Sequence, residues 1–341
     1  MTSKKILLSL ALIFGSFYGS FAQKKPTKST KIPAPSYLIP IEKPTGYVGN
    51  ILKDLEVVKD KTFNFLVIGD WGRNGQYKQK EVADRMGEAA EALDAQCILS
   101  TGDNFYLNGV ASVDDPAWNS SFENIYTAHT LMVDWFPVLG NHDYRGNPQA
   151  EIAYTQKSRR WNMPARYYSV EKTISGTDKV LFIFTDTSPF DTDLYKGNKH
   201  RDVAKQDTVA QKKWLDSLLA TSTAKWKIAV GHHPLYTSGA RIAQKKPFIN
   251  TFDELFEKYK VDVYFAGHEH DLQYQQPKNK FTKHFVSGAG SEIRPTNTLP
   301  EMTQFSASEH GFMAVTLQSE QLLLQVINEK GKILYKTVVK K

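Results

Sequence analysis

The chain of 341 residues contains a single cysteine, Cys97. One thiol excludes an intramolecular disulfide and any thiolate metal cluster, and its place in the apolar run "CILST" predicts a small buried core residue. Long apolar runs are scarce as well. The main one lies in the first 22 residues, where Lys4 and Lys5 precede an apolar stretch broken by Gly15 and Gly19 and closed by Ser20 and Ala22. That order predicts a cleaved secretory signal peptide over residues 1–22, and hence a secreted or periplasmic protein with no stable membrane anchor. Also missing is any basic run interleaved with aromatic residues, so no nucleic-acid partner is expected. Removal of the signal leaves 41 of the 43 basic side chains against 36 acidic ones, a net charge of +5 that favours anionic substrates only slightly.

What is present is a regular alternation. Residues 23–61, rich in Lys, Pro, Ser and Thr, read as an extended, loosely ordered lead-in. From residue 62 to 341 the chain reads as one α/β domain. Apolar, β-rich runs occur at "FNFLVIG", "CILSTG", "FPVLG", "VLFIFTD", "WKIAVG", "VDVYFAG" and "HFVSGAG", with helical patterns at "QKEVADRMGEAAEAL" and "TVAQKKWLDSLLA". Strands alternating with helices imply a largely parallel sheet buried on both faces. The last thirty or so residues, with turns at "SEQ" and "EKGK", read as an antiparallel meander.

Five of these strands end in polar motifs: "GDWG" with Asp70, "GDNFY" with Asp103, Asn104 and Tyr106, "GNHD" with Asn141 and His142, "GHHP" with His232 and His233, and "GHEH" with His268 and His270. Each motif alone is weak, because Asp and Asn after Gly are common turn residues and an isolated histidine is common in a core. Together they place five of the nine histidines at strand ends, where side chains far apart in sequence converge in α/β sheets. "HEH" on an extended stretch would point both imidazoles to one side. With no cysteine available, the donors are carboxylate, imidazole, amide and phenol, which suit Fe, Mn or Zn. Two metals about 3.5–4 Å apart can hold the attacking and leaving oxygens of a displacement at phosphorus, and Asp103 in the middle motif suits the bridging anion they require. Histidines 129, 200, 284 and 310 have no such company and read as structural or surface residues.

The set resembles the calcineurin-like metallophosphoesterase superfamily, and within it the purple acid phosphatases of the small tartrate-resistant type. Gly72 stands where most of the superfamily has a histidine and Tyr106 where it has a second aspartate, and both departures are the purple phosphatase pattern. The resemblance implies a four-layer αββα sandwich and an acid phosphatase that cleaves phosphate monoesters by attack of a metal-bound hydroxide. It further implies Fe(3+) at Asp70, Asp103, Tyr106 and His270, and a divalent Fe, Zn or Mn at Asp103, Asn141, His232 and His268. His142 would contact phosphate or protonate the leaving alcohol, and Asn104 would lie near the substrate. Many relatives carry a second non-ligand histidine downstream of "GHxP", but the comparable stretch "LYTSGARIAQ" has none; Arg241 sits about there, and His233 is the other candidate for the second substrate contact. A phosphodiesterase or nucleotide-cleaving enzyme on the same core is the alternative. Residues 188–207 read as an exposed, mobile loop. By composition it is a solvated connection; the resemblance implies instead a loop that overhangs the site, approaches the metals through Asp191, Asp193 or Asp202 and restrains activity until cut.

Overall fold

The computed structural model of the chain describes residues 52–200, 202–241 and 248–341, so the signal peptide and most of the lead-in expected from the sequence lie outside the described residues. Chain order runs β1 (Phe63–Ile68), α1 (Gln79–Leu93), β2 (Cys97–Ser100), β3 (Asp134–Pro137), α2 (Pro148–Tyr154), β4 (Tyr168–Ser175), β5 (Asp178–Phe184), α3 (Thr208–Thr221), β6 (Trp226–Val230), α4 (Phe248–Lys258), β7 (Val263–Ala266), β8 (Leu272–Gln275), β9 (Lys283–Ser287), β10 (Thr303–Ala307), β11 (Gly311–Leu317), β12 (Gln321–Asn328) and β13 (Ile333–Lys340). α1 buries Val82, Met86 and Ala90 at a four-residue spacing, one stripe of the helix surface. α3 starts where the Asp207 carboxylate accepts a hydrogen bond from the Ala210 amide at 2.9 Å.

The strands form two mixed sheets. One has the order β13-β12-β11-β1-β2-β3 and the other β10-β8-β9-β7-β6-β5-β4. β1, β2 and β3 are parallel, and so are β5, β6, β7 and β9. Phe65 of β1 meets Phe182 of β5 edge-on at 5.2 Å and Phe265 of β7 at 6.2 Å, so the sheets pack face to face through their apolar sides. On the outer side of the second sheet, Leu181 and Ile183 form a separate apolar cluster with Leu215 and Leu219 of α3 and Phe252 and Phe256 of α4. α1 packs on the first sheet against β1 and β11. The result is the expected αββα sandwich.

The seven strand runs and both helical patterns correspond to observed elements, and β11 to β13 form the antiparallel meander. The sequence analysis did not foresee β4, β8, β10, α2 or α4. β4 is an edge strand of mostly polar residues, with little apolar signal to read. One expectation changes in part. In the lead-in Leu52 is buried and the Glu56 backbone exchanges two hydrogen bonds with the Gln325 amide, while Lys53, Asp54 and Glu56 are exposed. The 188–207 loop is exposed along most of its described length, as expected, with three short 3₁₀ turns and with Pro189 and Val203 buried. Its acids are engaged locally, Asp202 by Arg166 and Lys205 and Asp193 by Lys196. No helix among the described residues is long and apolar enough to cross a membrane.

Candidate metal centre

The loops after β1, β2, β3, β6 and β7 open at the same end of the sandwich and bring their motifs together across the two sheets. Close approach depends on glycine. A Cβ on Gly140 would lie 2.2 Å from both the backbone nitrogen and Oδ1 of Asp103, and one on Gly102, at φ +92, would lie 2.8 Å from His232 Nδ1. Asp70, Asp103 and His268 themselves hold left-handed backbone, at φ 57, 49 and 68. Such strain persists where the surroundings enforce it, and it clusters at functional sites.

Enforcement comes from the packing beneath. Trp71 donates from its indole to Ser100 Oγ at 2.9 Å and sits edge-on to Phe105, Trp135 and Trp161. Asp143 accepts hydrogen bonds from the backbone amides of Gly140, Asn104 and Phe105 at 2.8, 3.1 and 3.1 Å, so one carboxyl ties the β2 loop to the β3 loop. Burial, followed by the Asp103 charge, pushes that carboxyl up to about 8.

Around Asp103 the side chains divide into two groups. In the first, the Tyr106 hydroxyl lies 2.8 Å from Asp70 Oδ1, 2.9 Å from Asp103 Oδ2 and 3.1 Å from His270 Nε2. In the second, His232 Nε2 lies 3.5 Å from Asp103 Oδ1, 3.2 Å from Asn141 Oδ1 and 3.2 Å from His268 Nδ1. All seven metal ligands expected from the sequence therefore meet, and the two oxygens of Asp103 face different groups. His268 and His270 do not point to one side as a strand would require. They lie in a bend where the left-handed His268 sends one ring to each group.

Both groups hold more lone pairs than protons. The phenol has one proton for two carboxylate oxygens and an imidazole nitrogen. The Thr101 carbonyl, 2.9 Å from His232 Nδ1, accepts that nitrogen's proton and leaves Nε2 with a lone pair aimed at its neighbours. Ligand atoms set at right angles about 2.0–2.2 Å from one ion are about 3 Å apart, which matches these separations. Two triads, Asp70 with Asp103 and His232, and His232 with His233 and His268, have ligand atoms within 4.8 Å of one another. The residues present thus fit a pair of cations.

The electrostatics agree. Burial pushes Asp70 well above the usual carboxylate range, and the Asp103 charge adds to it. Burial acts on Asp103 in the same direction, yet the charges that His232 and His142 take up in acid solution, with hydrogen bonds from the His142 amide and the Tyr106 hydroxyl, outweigh it and hold this carboxyl below its usual value. Burial, then Asp103 and Asp70, push the Tyr106 phenol up, so its ionisation depends on a cation. Burial likewise holds the rings of His232, His268 and His270 neutral, the state in which imidazole binds metal.

The remaining expected contacts fall in different places. His142 Nε2 lies 4.0 Å from Asp103 Oδ2, while its Nδ1 donates to the Leu107 carbonyl at 2.7 Å. His233 is buried beside His268, with Nδ1 2.8 Å from Thr187 Oγ1. Arg241 is close by, donating from Nη1 to the His268 carbonyl at 2.6 Å and to Glu269 at 3.4 Å. Asn104 is a correction. Its amide donates to the Val138 carbonyl and to Glu151 Oε2, both at 2.9 Å, and accepts from Ser100 Oγ at 2.6 Å, so it braces the loop from within and has no face toward substrate. Sequence reasoning passed over Asp143, although it closes "GNHD", and Arg73, which follows "GDWG". The Arg73 guanidinium lies 3.8 Å from the centre of the Tyr106 ring and pairs with Glu292. Only its place beside a motif could have signalled it.

Comparison with known proteins is consistent with this geometry. The profile of the calcineurin-like phosphoesterases matches residues 63–272. The chain is 34% identical to purple acid phosphatase 4 of Arabidopsis thaliana over 81% of this chain and 83% of that one. It is 31% identical to human tartrate-resistant acid phosphatase type 5 over 80% of this chain and 89% of that one. Among solved structures, GAP50, described as the anchor in the inner membrane complex of Plasmodium, shares the fold with a TM-score of 0.72 at 24% identity, covering 82% of this chain and 89% of its own.

Proposed function

The chain belongs to the calcineurin-like phosphoesterase family, within its purple acid phosphatase branch, and from that membership we propose that it is an acid phosphatase that hydrolyses phosphate monoesters at two metal ions sharing Asp103. Asp70, Tyr106 and His270 would complete a ferric site. Asn141, His232 and His268 would complete a site for divalent Fe, Zn or Mn. The observation that carries this reading is the division of lone pairs around Asp103: each of its oxygens faces its own set of donors, and neither set has protons enough to satisfy it. When bound, the two cations screen the charge of a phosphate ester and lower the pKa of water.

The protein's own groups do the rest. The hydrogen bond from His142 Nδ1 to Leu107 leaves Nε2 facing the centre, where it can donate to a phosphate oxygen or give its proton to the departing alcohol. Burial, and after it the Arg145 cation, hold this imidazole below its usual pKa against the pull of Asp103, so it carries a proton only in acid solution. That supports an acidic optimum. The Thr187 hydroxyl orients His233, and Arg241 adds a fixed positive charge near the centre, which suits both to contact with phosphate. The pattern of residues 1–22 supports an exported enzyme.

The test is metal analysis with a visible spectrum of the purified protein, together with rates on p-nitrophenyl phosphate and bis(p-nitrophenyl) phosphate. Two metals per chain, one of them iron, a tyrosinate-to-iron band and faster hydrolysis of the monoester are expected. A colourless, fully active zinc or manganese enzyme removes the ferric site. Faster cleavage of the diester moves the activity to the phosphodiesterases.

A further inference from the structure

Beside Arg145, a neighbour of His142, lies a cavity of about 440 Å³, lined by Asn108, Tyr144, Arg145, Gly146, Asn198 and Lys199. Among the described residues its lining is one-sided, with two cations, two amides, the Tyr144 phenol and no carboxylate. Arg145 is one of its lining residues. Its Nη1 lies 3.0 Å from His142 Nδ1 and donates to the Leu107 carbonyl at 3.4 Å, and its Nε donates to His200 Nε2 at 3.2 Å. None of those partners is an acid. Lys196 and Lys205 on the neighbouring loop are each paired with an aspartate, whereas Lys199 has no carboxylate partner among the described residues. Two uncompensated cations therefore meet at a cavity one imidazole away from the metal centre.

We infer that this cavity is a leaving-group subsite for a second phosphate, so that the preferred substrates are monoesters whose alcohol carries another phosphate group. The inference rests on the phosphatase reading. His142 stands where the departing alcohol must pass, with its Nε2 edge toward Asp103 and its Nδ1 edge toward Arg145, which lines the cavity. A substituent on the alcohol that extends past this ring enters the field of Arg145 and Lys199. The donors match a phosphate: the Arg145 N–H groups not spent on Leu107 and His200, an ammonium and the amides of Asn108 and Asn198 offer more hydrogen bonds than one carboxylate accepts, and a dianion gains most from two cations. A neutral alcohol gains nothing there, since both cations are already solvated.

The experiment compares kcat/KM for 1,4-phenylene bisphosphate and phenyl phosphate, in the wild type, in Lys199→Gln and in the double variant Arg145→Gln/Lys199→Gln. After a statistical factor of two for its equivalent phosphates, the bisphosphate should be preferred about tenfold or more by the wild type. The preference should shrink in Lys199→Gln, an exposed position at which folding is not at risk, and vanish in the double variant, chiefly through KM. A wild-type ratio near two, or a preference unchanged in both variants, overturns the subsite while leaving the phosphatase intact. Failure of the metal-loaded wild type to hydrolyse either ester overturns the phosphatase reading and the subsite with it.

Discussion

In the proposed centre Asp103 would serve both cations, one through each oxygen. Its removal would leave them facing each other without an anion between them, a repulsion large enough to expel both. Asp103→Ala should therefore lose both metals and nearly all activity, and two metals per chain in that variant would show that the bridge lies elsewhere. Tyr106 contributes by contrast to only one group. Tyr106→Phe should abolish the visible band and loosen that metal while leaving the second group of ligands in place, and a band that survives excludes this tyrosine as its source. His142 touches neither group of ligands with its free nitrogen, so His142→Ala should keep its metals and lower kcat by roughly 10²–10⁴-fold. The loss should be smaller for p-nitrophenyl phosphate than for phenyl phosphate, because the better leaving group needs little protonation. Equal losses would leave His142 a phosphate contact and no acid.

At the scale of the element, the ends of parallel strands do the positioning. β1, β2 and β3 stop in register, so that Asp70, Asp103 and Asn141 emerge side by side, and the glycine before each lets the next loop lie directly against it. Of these contacts, the one at Gly140 is made with Asp103 itself. Gly140→Ala would drive a methyl group into Asp103, and overpacking of this kind costs about 1–3 kcal/mol. A lowered melting temperature together with weakened metal retention is expected. An unchanged melt with full metal content would mean that the loops can separate without consequence. The loop of residues 188–207 also acts as an element, since its buried Val203 and the His200 contact with Arg145 hold it beside His142.

Across the whole molecule, an enzyme proposed to work in acid carries an acid-sensitive core group. His284 on β9 is buried between Tyr236 and Tyr264, and neither ring nitrogen has a hydrogen-bond partner among the described residues. Burial first, then Lys280 and Lys283, push its pKa down to about 3. The unfolded chain binds this proton at about 6.5, so between 6.5 and 3 it holds more protons than the folded one. Stability is thus full above 6.5 and falls as the pH drops toward 3, by up to roughly 1.4 kcal/mol for each unit. His284→Phe should flatten this acid limb, so that the fall in melting temperature between pH 7 and pH 5 becomes smaller than in the wild type. An identical fall in both proteins would assign the acid sensitivity to other groups.

Alternation of apolar runs with helical patterns was enough to determine an α/β protein, because each run carries its own period of burial. The five glycine-led motifs were enough to name the side chains at the centre, because strand ends are local features and metal donors are few in kind. What the sequence alone could not supply depends on contacts between segments far apart in the chain. That Asn104 braces its loop follows from Val138 and Glu151, that Arg145 borders a cationic cavity follows from the neighbouring loop, and that His268 and His270 diverge follows from a left-handed residue at a bend. Each was decided by tertiary structure, since a side chain's period within its own element says nothing about which distant partner accepts its hydrogen bond or leaves its charge unpaired.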